Sequence, residues 1–381
     1  MKFSCTQENL NQILSIVSHI ASKNANLPIL SNILIKAENK NLNILATNLE
    51  IGVIASIRGM VETEGEFSID AKLFSNYISL LPKDRIDFEL IGDDLKINCQ
   101  KQKTKIKCQN NNDFPLIPQL EKENPYLIST NELKKAIYNT SFAVSTSEIR
   151  PEISGVYLDF TKDKLILAAT DSYRLTERKI SYIENNKNKI PGFNGENVII
   201  PTKTLQEVSR IFTSMKDDIN TETSDNVEIY LNDSQIMFVY NGIELISRLI
   251  EGQYPEYTQI IPENNNSKIK INTMELIKVI KTSSLFAKSG VFDVKLDFKT
   301  NPNELIVTSS SSQTGENIST IDMEKTGEGS EVVLNYKYLL DGLQNIGSEN
   351  VVFEISDPNT PCLIKPENDP DYIYLIMPIR Q

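Results

Sequence analysis

Six stretches of the chain place apolar residues at the three-to-four-residue spacing of an amphipathic helix. In "TQENLNQILSIVSHIASK", Leu10, Ile13, Leu14, Val17, Ile20 and Ala21 fall on one stripe, while Gln12, Ser15, His19 and Lys23 lie opposite. The pattern predicts helices over 7–23, 71–81, 131–143, 203–216, 274–288 and 336–344. Between them lie alternating runs rich in β-branched residues, such as "LNILATNLEIGVIASI", which predict strand pairs around polar turns. The run "SSSS" (Ser309–Ser312) reads as one such turn. The chain closes on a last alternating run, with Tyr372, Tyr374 and Ile376 on one face and Ile373, Leu375 and Met377 on the other. Pro378 is expected to end that strand, because it has no N–H to donate.

The elements recur in a fixed order, which is the signature of internal repeats. "TQENLNQILSIVSHIASK", "STNELKKAIYNTSFAVS" and "NTMELIKVIKTSSLFAKS" each put a polar cap before a helical stripe, and Leu10, Leu133 and Leu276 occupy the same place in each. "SIDAKLFSNYISLLP", "VIIPTKTLQEVSRIF" and "VVLNYKYLLDGLQNI" each run a short strand into a helix, with Lys72, Lys203 and Lys337 at or near its start. Three domains of one plan follow, 1–123, 124–262 and 263–381, separated near the polar segments "LEKENPY" and "PENNNSK". The fold class is α+β, with antiparallel sheets carrying two helices per domain on one side.

A chain of 381 residues is too long for one core, in keeping with several domains. Cys5, Cys99, Cys108 and Cys362 are scattered, with no CxxC and one histidine, which excludes the usual zinc and iron–sulfur spacings. Reduced, mostly buried thiols are expected, and no metal or other cofactor. "MKFSCTQENL" lacks the apolar segment of a signal peptide, and no run of apolar residues is long enough to span a bilayer. We therefore expect a cytoplasmic protein with no membrane partner.

The net charge of −12 argues, taken whole, against nucleic acid. Its distribution changes the picture. The six predicted helices carry eleven basic and five acidic residues, a surplus of six, so the rest of the chain carries a deficit of eighteen. Helices lining one surface would attract phosphates without reading base sequence, and a threefold repeat can arc around a rod such as duplex DNA. The plainer explanation, that helices favour lysine, accounts for the count alone.

Several stretches, in order across all three repeats, resemble the bacterial DNA sliding clamp family, the beta subunit of DNA polymerase III: "LPILSNILI", "ATNLEI", "SEIRPEISGVYLDF", "AATDSYRL", "EGQYPEYTQIIP" and the closing "YLIMPIR". The resemblance runs the full length. It implies a head-to-tail homodimeric ring of six domains, sheets outside and helices lining the hole, that encircles double-stranded DNA and slides on it. A net-negative ring can hold DNA topologically without gripping it. The implied partners are the replicative DNA polymerase, an ATP-driven clamp loader, and other replication and repair proteins carrying a short clamp-binding peptide.

By the same resemblance, a hydrophobic peptide-binding pocket is formed by Ile153, Thr170, Ser172, Tyr173, Arg174, Leu175, Pro255, Ile260, Ile376, Met377, Pro378, Ile379 and Arg380. Ser172-Tyr173, Gln259 and Ile379 depart from residues frequent in the family and bear on which peptides fit. The candidates for DNA contact are Lys23, Asn24, Lys72, Arg150 and Lys203. The dimer interface is assigned to Lys103, Lys105, Ile106 and Lys107 on "KQKTKIKC", against Leu285, Phe286 and Glu316. Strand pairing there would remove two sheet edges, although a lysine-rich face is also an ordinary way to protect an edge.

Two competing readings follow from the residues. A monomeric peptide-binding scaffold would keep the pocket without the ring. An enzyme using Asp171 and Ser172 would need a base beside the serine, and the only histidine, His19, sits in another repeat on a solvent-facing stripe. No P-loop, GxGxxG or HExxH motif is present.

Overall fold

The computed structural model describes residues 1–21, 26–109, 111, 113–147, 149–183, 196–215, 225–262, 265–300 and 303–380. Six helices form where the stripes lie: α1 (Gln7–Ile20), α2 (Ala71–Ser79), α3 (Thr130–Thr140), α4 (Thr202–Met215), α5 (Thr273–Ser284) and α6 (Tyr336–Asn345). Polar side chains hold three of their N-termini, and of these only Asn272 stands where a cap is expected; Thr6 before α1 makes no side-chain cap bond. Asp70 accepts from the Leu73 N–H at 2.7 Å, Asn272 from Glu275 at 3.1 Å and Asn335 from Lys337 at 2.9 Å. The stripe of α1 is buried as expected, and Ile16 is fully buried with it. The Ser309–Ser312 run is not simply a turn: the strand Glu304–Ser311 carries its first three serines, and Ser309 is buried, its hydroxyl donating to the Asp293 carbonyl.

α1, α2, α3 and α5 end earlier than the sequence suggests, which changes the charge count. Lys288 falls in the loop after α5, and Lys23 and Lys216 lie outside the described residues. The six observed helices carry eight basic and five acidic residues, half the expected surplus. Of those eight, Arg210 pairs with Glu207, Lys135 with Asp369, and Lys337 rests over the Phe292 ring.

The chain forms two compact units, each holding two antiparallel sheets. In the first unit, a five-stranded sheet ends on the strand Gln102–Lys107. Its eight-stranded sheet joins the first two repeats, because Ile51–Arg58 pairs with Ile243–Arg248. The second unit repeats this device. Its nine-stranded sheet joins the second and third repeats through Arg174–Ser181 against Tyr372–Ile376, and its four-stranded sheet ends on Gly315–Asp322.

Cores sit between helices and sheets. In the second unit Leu276, Ile280, Leu339 and Leu343 of α5 and α6 pack with Phe298, Phe353 and Tyr374. Gly342 is required inside α6, since a Cβ there would come within 2.0 Å of the Tyr374 ring. Burial pushes the thiols of Cys5 and Cys362 up to about 12, which suits packing and not reactivity. No described helix is long and apolar enough to cross a membrane.

Candidate peptide-binding pocket

The pocket begins with a tight turn at the end of the strand Lys164–Thr170, held by its own side chains. The Thr170 hydroxyl donates to the Arg174 carbonyl at 2.6 Å and accepts from the Ser172 N–H at 3.1 Å. One Asp171 carboxylate oxygen accepts from the N–H groups of Tyr173 and Arg174. Ser172 takes a φ of 79°, the left-handed conformation that glycine adopts freely. The result raises Tyr173 into solvent, 62% exposed, while Arg174 and Leu175 turn inward and are buried.

Arg174 organises one wall. Its guanidinium donates to Asp171 at 3.0 Å, to Asp341 of α6 at 2.6 Å and to the Phe142 carbonyl at 3.1 Å. Its carbon lies 4.7 Å from the Tyr338 ring centroid and 5.5 Å from that of Phe142. Burial disfavours the charge, but Tyr374 and the two carboxylates outweigh it and raise the pKa, so the group stays ionised. Tyr173 stacks on the other side of this arrangement, 6.3 Å from Tyr338 at 18° between ring planes.

The C-terminal residues form the facing wall. Met377 donates its backbone N–H to the Tyr173 carbonyl at 2.9 Å, and Ile379 donates to Val333 at 2.8 Å. Pro378 between them has no N–H to satisfy, so the tail is tied on both sides of it. Ile153, Leu175 and Tyr257 form a buried cluster with Met377 against it, and the Tyr257 hydroxyl donates to the buried Glu177 at 2.7 Å. Ile376 is fully buried, Pro255 half-buried, and Ile260 and Arg380 are exposed. Of the assigned residues, Ile153, Thr170, Arg174, Leu175 and Ile376 are thus buried, Pro255, Met377, Pro378 and Ile379 half-buried, and Ser172, Tyr173, Ile260 and Arg380 exposed.

The other assigned residues are distributed differently. Arg150 lies at the pocket lip, donating to the Ser172 hydroxyl at 3.0 Å and pairing with Glu152 at 2.9 Å. Lys72 and Lys203 are exposed near the starts of α2 and α4, with no ion pair among the described residues. Lys23 and Asn24 lie outside the described residues. Lys103, Lys105 and Lys107 are exposed on the terminal strand Gln102–Lys107, where Lys105 and Lys107 both bind Asp94. Ile106 lies on the face of that strand opposite the lysines and is 8% exposed, packed into its own domain. Leu285 is 71% exposed, Phe286 half-buried and Glu316 exposed. Sequence reasoning passed over Ile318, exposed on the terminal strand Gly315–Asp322, and over Phe142, Tyr338 and Asp341 around Arg174. No group of three potential metal ligands occurs among the described residues.

Comparison with known proteins covers the whole chain. Family models for the DNA polymerase III beta subunit match in order: the N-terminal domain over residues 1–118, the central domain over 127–256 and the C-terminal domain over 258–380. The beta sliding clamp of Bacillus subtilis is 30% identical over 393 residues, with all of both chains covered. That of Synechocystis is 29% identical over 394 residues, covering 100% of this chain and 99% of the relative. The crystal structure of the Bacillus subtilis DNA polymerase sliding clamp superposes with a TM-score of 0.89 at 29% identity, covering 100% of this chain and 99% of that one.

Proposed function

From the premise that the chain belongs to the DNA polymerase III beta subunit family, the beta sliding clamps, we propose that two copies close head to tail into a ring that encircles duplex DNA. The ring acts as a DNA sliding clamp: it moves along the duplex and tethers the replicative polymerase, and it catalyses no reaction. The three repeats are its domains, with boundaries at 1–123, 124–262 and 263–381. The protein works in the cytoplasm, and a separate ATP-driven loader opens the ring.

The observation that carries the ring is the way strands continue from repeat to repeat. Ile51–Arg58 of the first repeat pairs with the last strand of the second, and Arg174–Ser181 of the second pairs with the last strand of the third. The corresponding strand of the third repeat, Gly315–Asp322, ends its sheet unpaired, as does the last strand of the first repeat, Gln102–Lys107. Pairing these two between copies extends the same rule and leaves no such edge exposed. Lys103, Lys105 and Lys107 then meet a strand carrying Glu316, Ile318 and Asp322, with Leu285 and Phe286 beside it. Such a heterologous contact gives a closed ring only if the rotation closes, and two copies of a three-domain chain supply the six domains of the family.

Lys72, Lys203, Lys23 and Asn24 contact phosphates loosely, which suits a ring that slides. Arg150 has its partners at the pocket lip, and its role belongs there as much as to DNA. The pocket around Leu175, Ile153 and Met377 takes the apolar anchors of a short peptide from the polymerase, the loader or a repair protein. Sedimentation of the full chain tests the assembly: a species of twice 43.0 kDa at micromolar concentration is expected. A strict monomer would favour the scaffold without a ring.

A further inference from the structure

The first unit contains a second copy of the pocket turn. The Thr47 hydroxyl donates to the Ile51 carbonyl at 3.0 Å and accepts from the Leu49 N–H at 3.0 Å, as Thr170 does with Arg174 and Ser172. Asn48 accepts from the Glu50 and Ile51 N–H groups, as Asp171 does from Tyr173 and Arg174. Leu49 has a φ of 78° and Ser172 one of 79°. Arg248 donates its N–H to the Glu50 carbonyl at 3.1 Å, as Met377 does to Tyr173 at 2.9 Å. The paired strands also match in register, Ile51 opposite Ser247 and Arg174 opposite Ile376.

What differs is the side chains. Gly52 stands where Leu175 stands in the other copy, and the Ile117 side chain lies over it, where a Cβ on Gly52 would meet it at 2.7 Å. A cavity of about 80 Å³ remains, lined by Leu49, Leu116, Ile117 and Ile246, with Glu50 and Arg248 at the mouth. With liquid water taking roughly 30 Å³ per molecule, that space suits one branched aliphatic side chain and not a drug-sized ligand. Leu116 is 94% exposed and Leu49 is 45% exposed, and the latter holds a backbone conformation unusual for a bulky residue. Arg248 makes no ion pair among the described residues, so the mouth offers a cation to an incoming carboxylate.

We propose that this cavity is a second peptide-binding site, taking one leucine-sized side chain of an extended segment of a partner protein, with an adjacent carboxylate on Arg248. The occupant's chemistry rests on the peptide-binding reading of the pocket around Leu175; the site's geometry stands without it.

The test is methyl NMR on the full-length protein, titrated with the tetrapeptide acetyl-Ala-Asp-Leu-Ala-amide. Saturable shifts are expected at the Leu49, Leu116, Ile117 and Ile246 methyls. The peptide with alanine for leucine should produce none, and the peptide with asparagine for aspartate should bind roughly 1.4- to fivefold more weakly, the range for an exposed ion pair. Arg248→Ala should abolish that difference, and Leu49→Glu should remove the response while the rest of the spectrum stays folded. The methyls of Leu175, Ile376 and Met377 report the other pocket separately. Shifts there alone would overturn the second site and leave the first intact. Shifts at Leu49 and Ile117 alone would uphold the second site and count against the first. Silence in both sets, or equal shifts with the leucine-free peptide, would overturn the proposal.

Discussion

Arg174 lies against the face of Tyr338, with its guanidinium carbon 4.7 Å from the ring centroid and one nitrogen 2.6 Å from Asp341 on the same helix. A single buried cation thus fixes the turn that carries Tyr173, the helix that carries Tyr338, and the wall between them. Arg174→Ala should destabilise the protein by about 2–3 kcal/mol, the scale of charge-assisted hydrogen bonds left unmade. Arg174→Lys should recover less than half, because an ammonium cannot hold two carboxylates and stack at once. Thermal unfolding of the two variants beside the parent chain measures both effects.

Tyr173 is the opposite case, exposed and bonded to the fold mainly through its backbone. Tyr173→Ala should leave the unfolding midpoint within the range of an ordinary surface change, about 0.5 kcal/mol. Affinity for a partner's clamp-binding peptide should nevertheless fall about tenfold if the peptide covers the tyrosine ring, since tyrosines desolvated on binding are among the residues that carry binding energy. Calorimetric titration of the peptide separates the two outcomes.

Acid should weaken the second unit through two carboxylates. Burial works against the Glu354 charge, but hydrogen bonds from Lys365 and Lys268 outweigh it and hold the pKa below its ordinary 4.5. Asp369 is likewise held below 3.8, against burial, by Arg178 and Lys135. A carboxylate with a lowered folded pKa adds stability above its unfolded pKa and loses it as pH falls through the folded value. The unfolding midpoint should therefore drop as pH falls below about 4.5, and Glu354→Gln should flatten part of that slope while lowering stability at pH 7.

Ile318 on the sheet-edge strand Gly315–Asp322 and Leu285 after α5 are exposed large apolar side chains. Ile318→Asp or Leu285→Glu should turn a dimer into monomers in sedimentation, with little change in the circular dichroism spectrum. The same change at Ile106 should instead unfold the first domain, because Ile106 is already inside it.

The helices were legible because burial on one side imposes a period that survives in the sequence, and Asn272 caps α5 where that period begins. The sheets were legible only locally. Ile51–Arg58 and Ile243–Arg248 each read as a strand, but nothing in either announces the other, nearly two hundred residues away, as its neighbour. Arg174 could be named from the family's motif, yet Phe142, Tyr338 and Asp341 that hold it come from two other parts of the chain. On Gln102–Lys107 the alternation separates Ile106 from the lysines, but it does not show which face a neighbouring chain would meet. Of the duplicated turn, the shared Thr47-Asn48 and Thr170-Asp171 pairs were in view, but not the common backbone of Leu49 and Ser172, whose side chains differ.

The central claim is topological, so the most direct measurement is retention on DNA whose topology can be changed. The protein would be loaded onto a nicked circle with a bacterial clamp loader and ATP, freed of unbound protein by gel filtration, and the circle then cut once. A sliding ring is held on the circle at moderate salt and lost on linearisation. Protein that never stays on the circle, or stays equally well after the cut, would contradict the account.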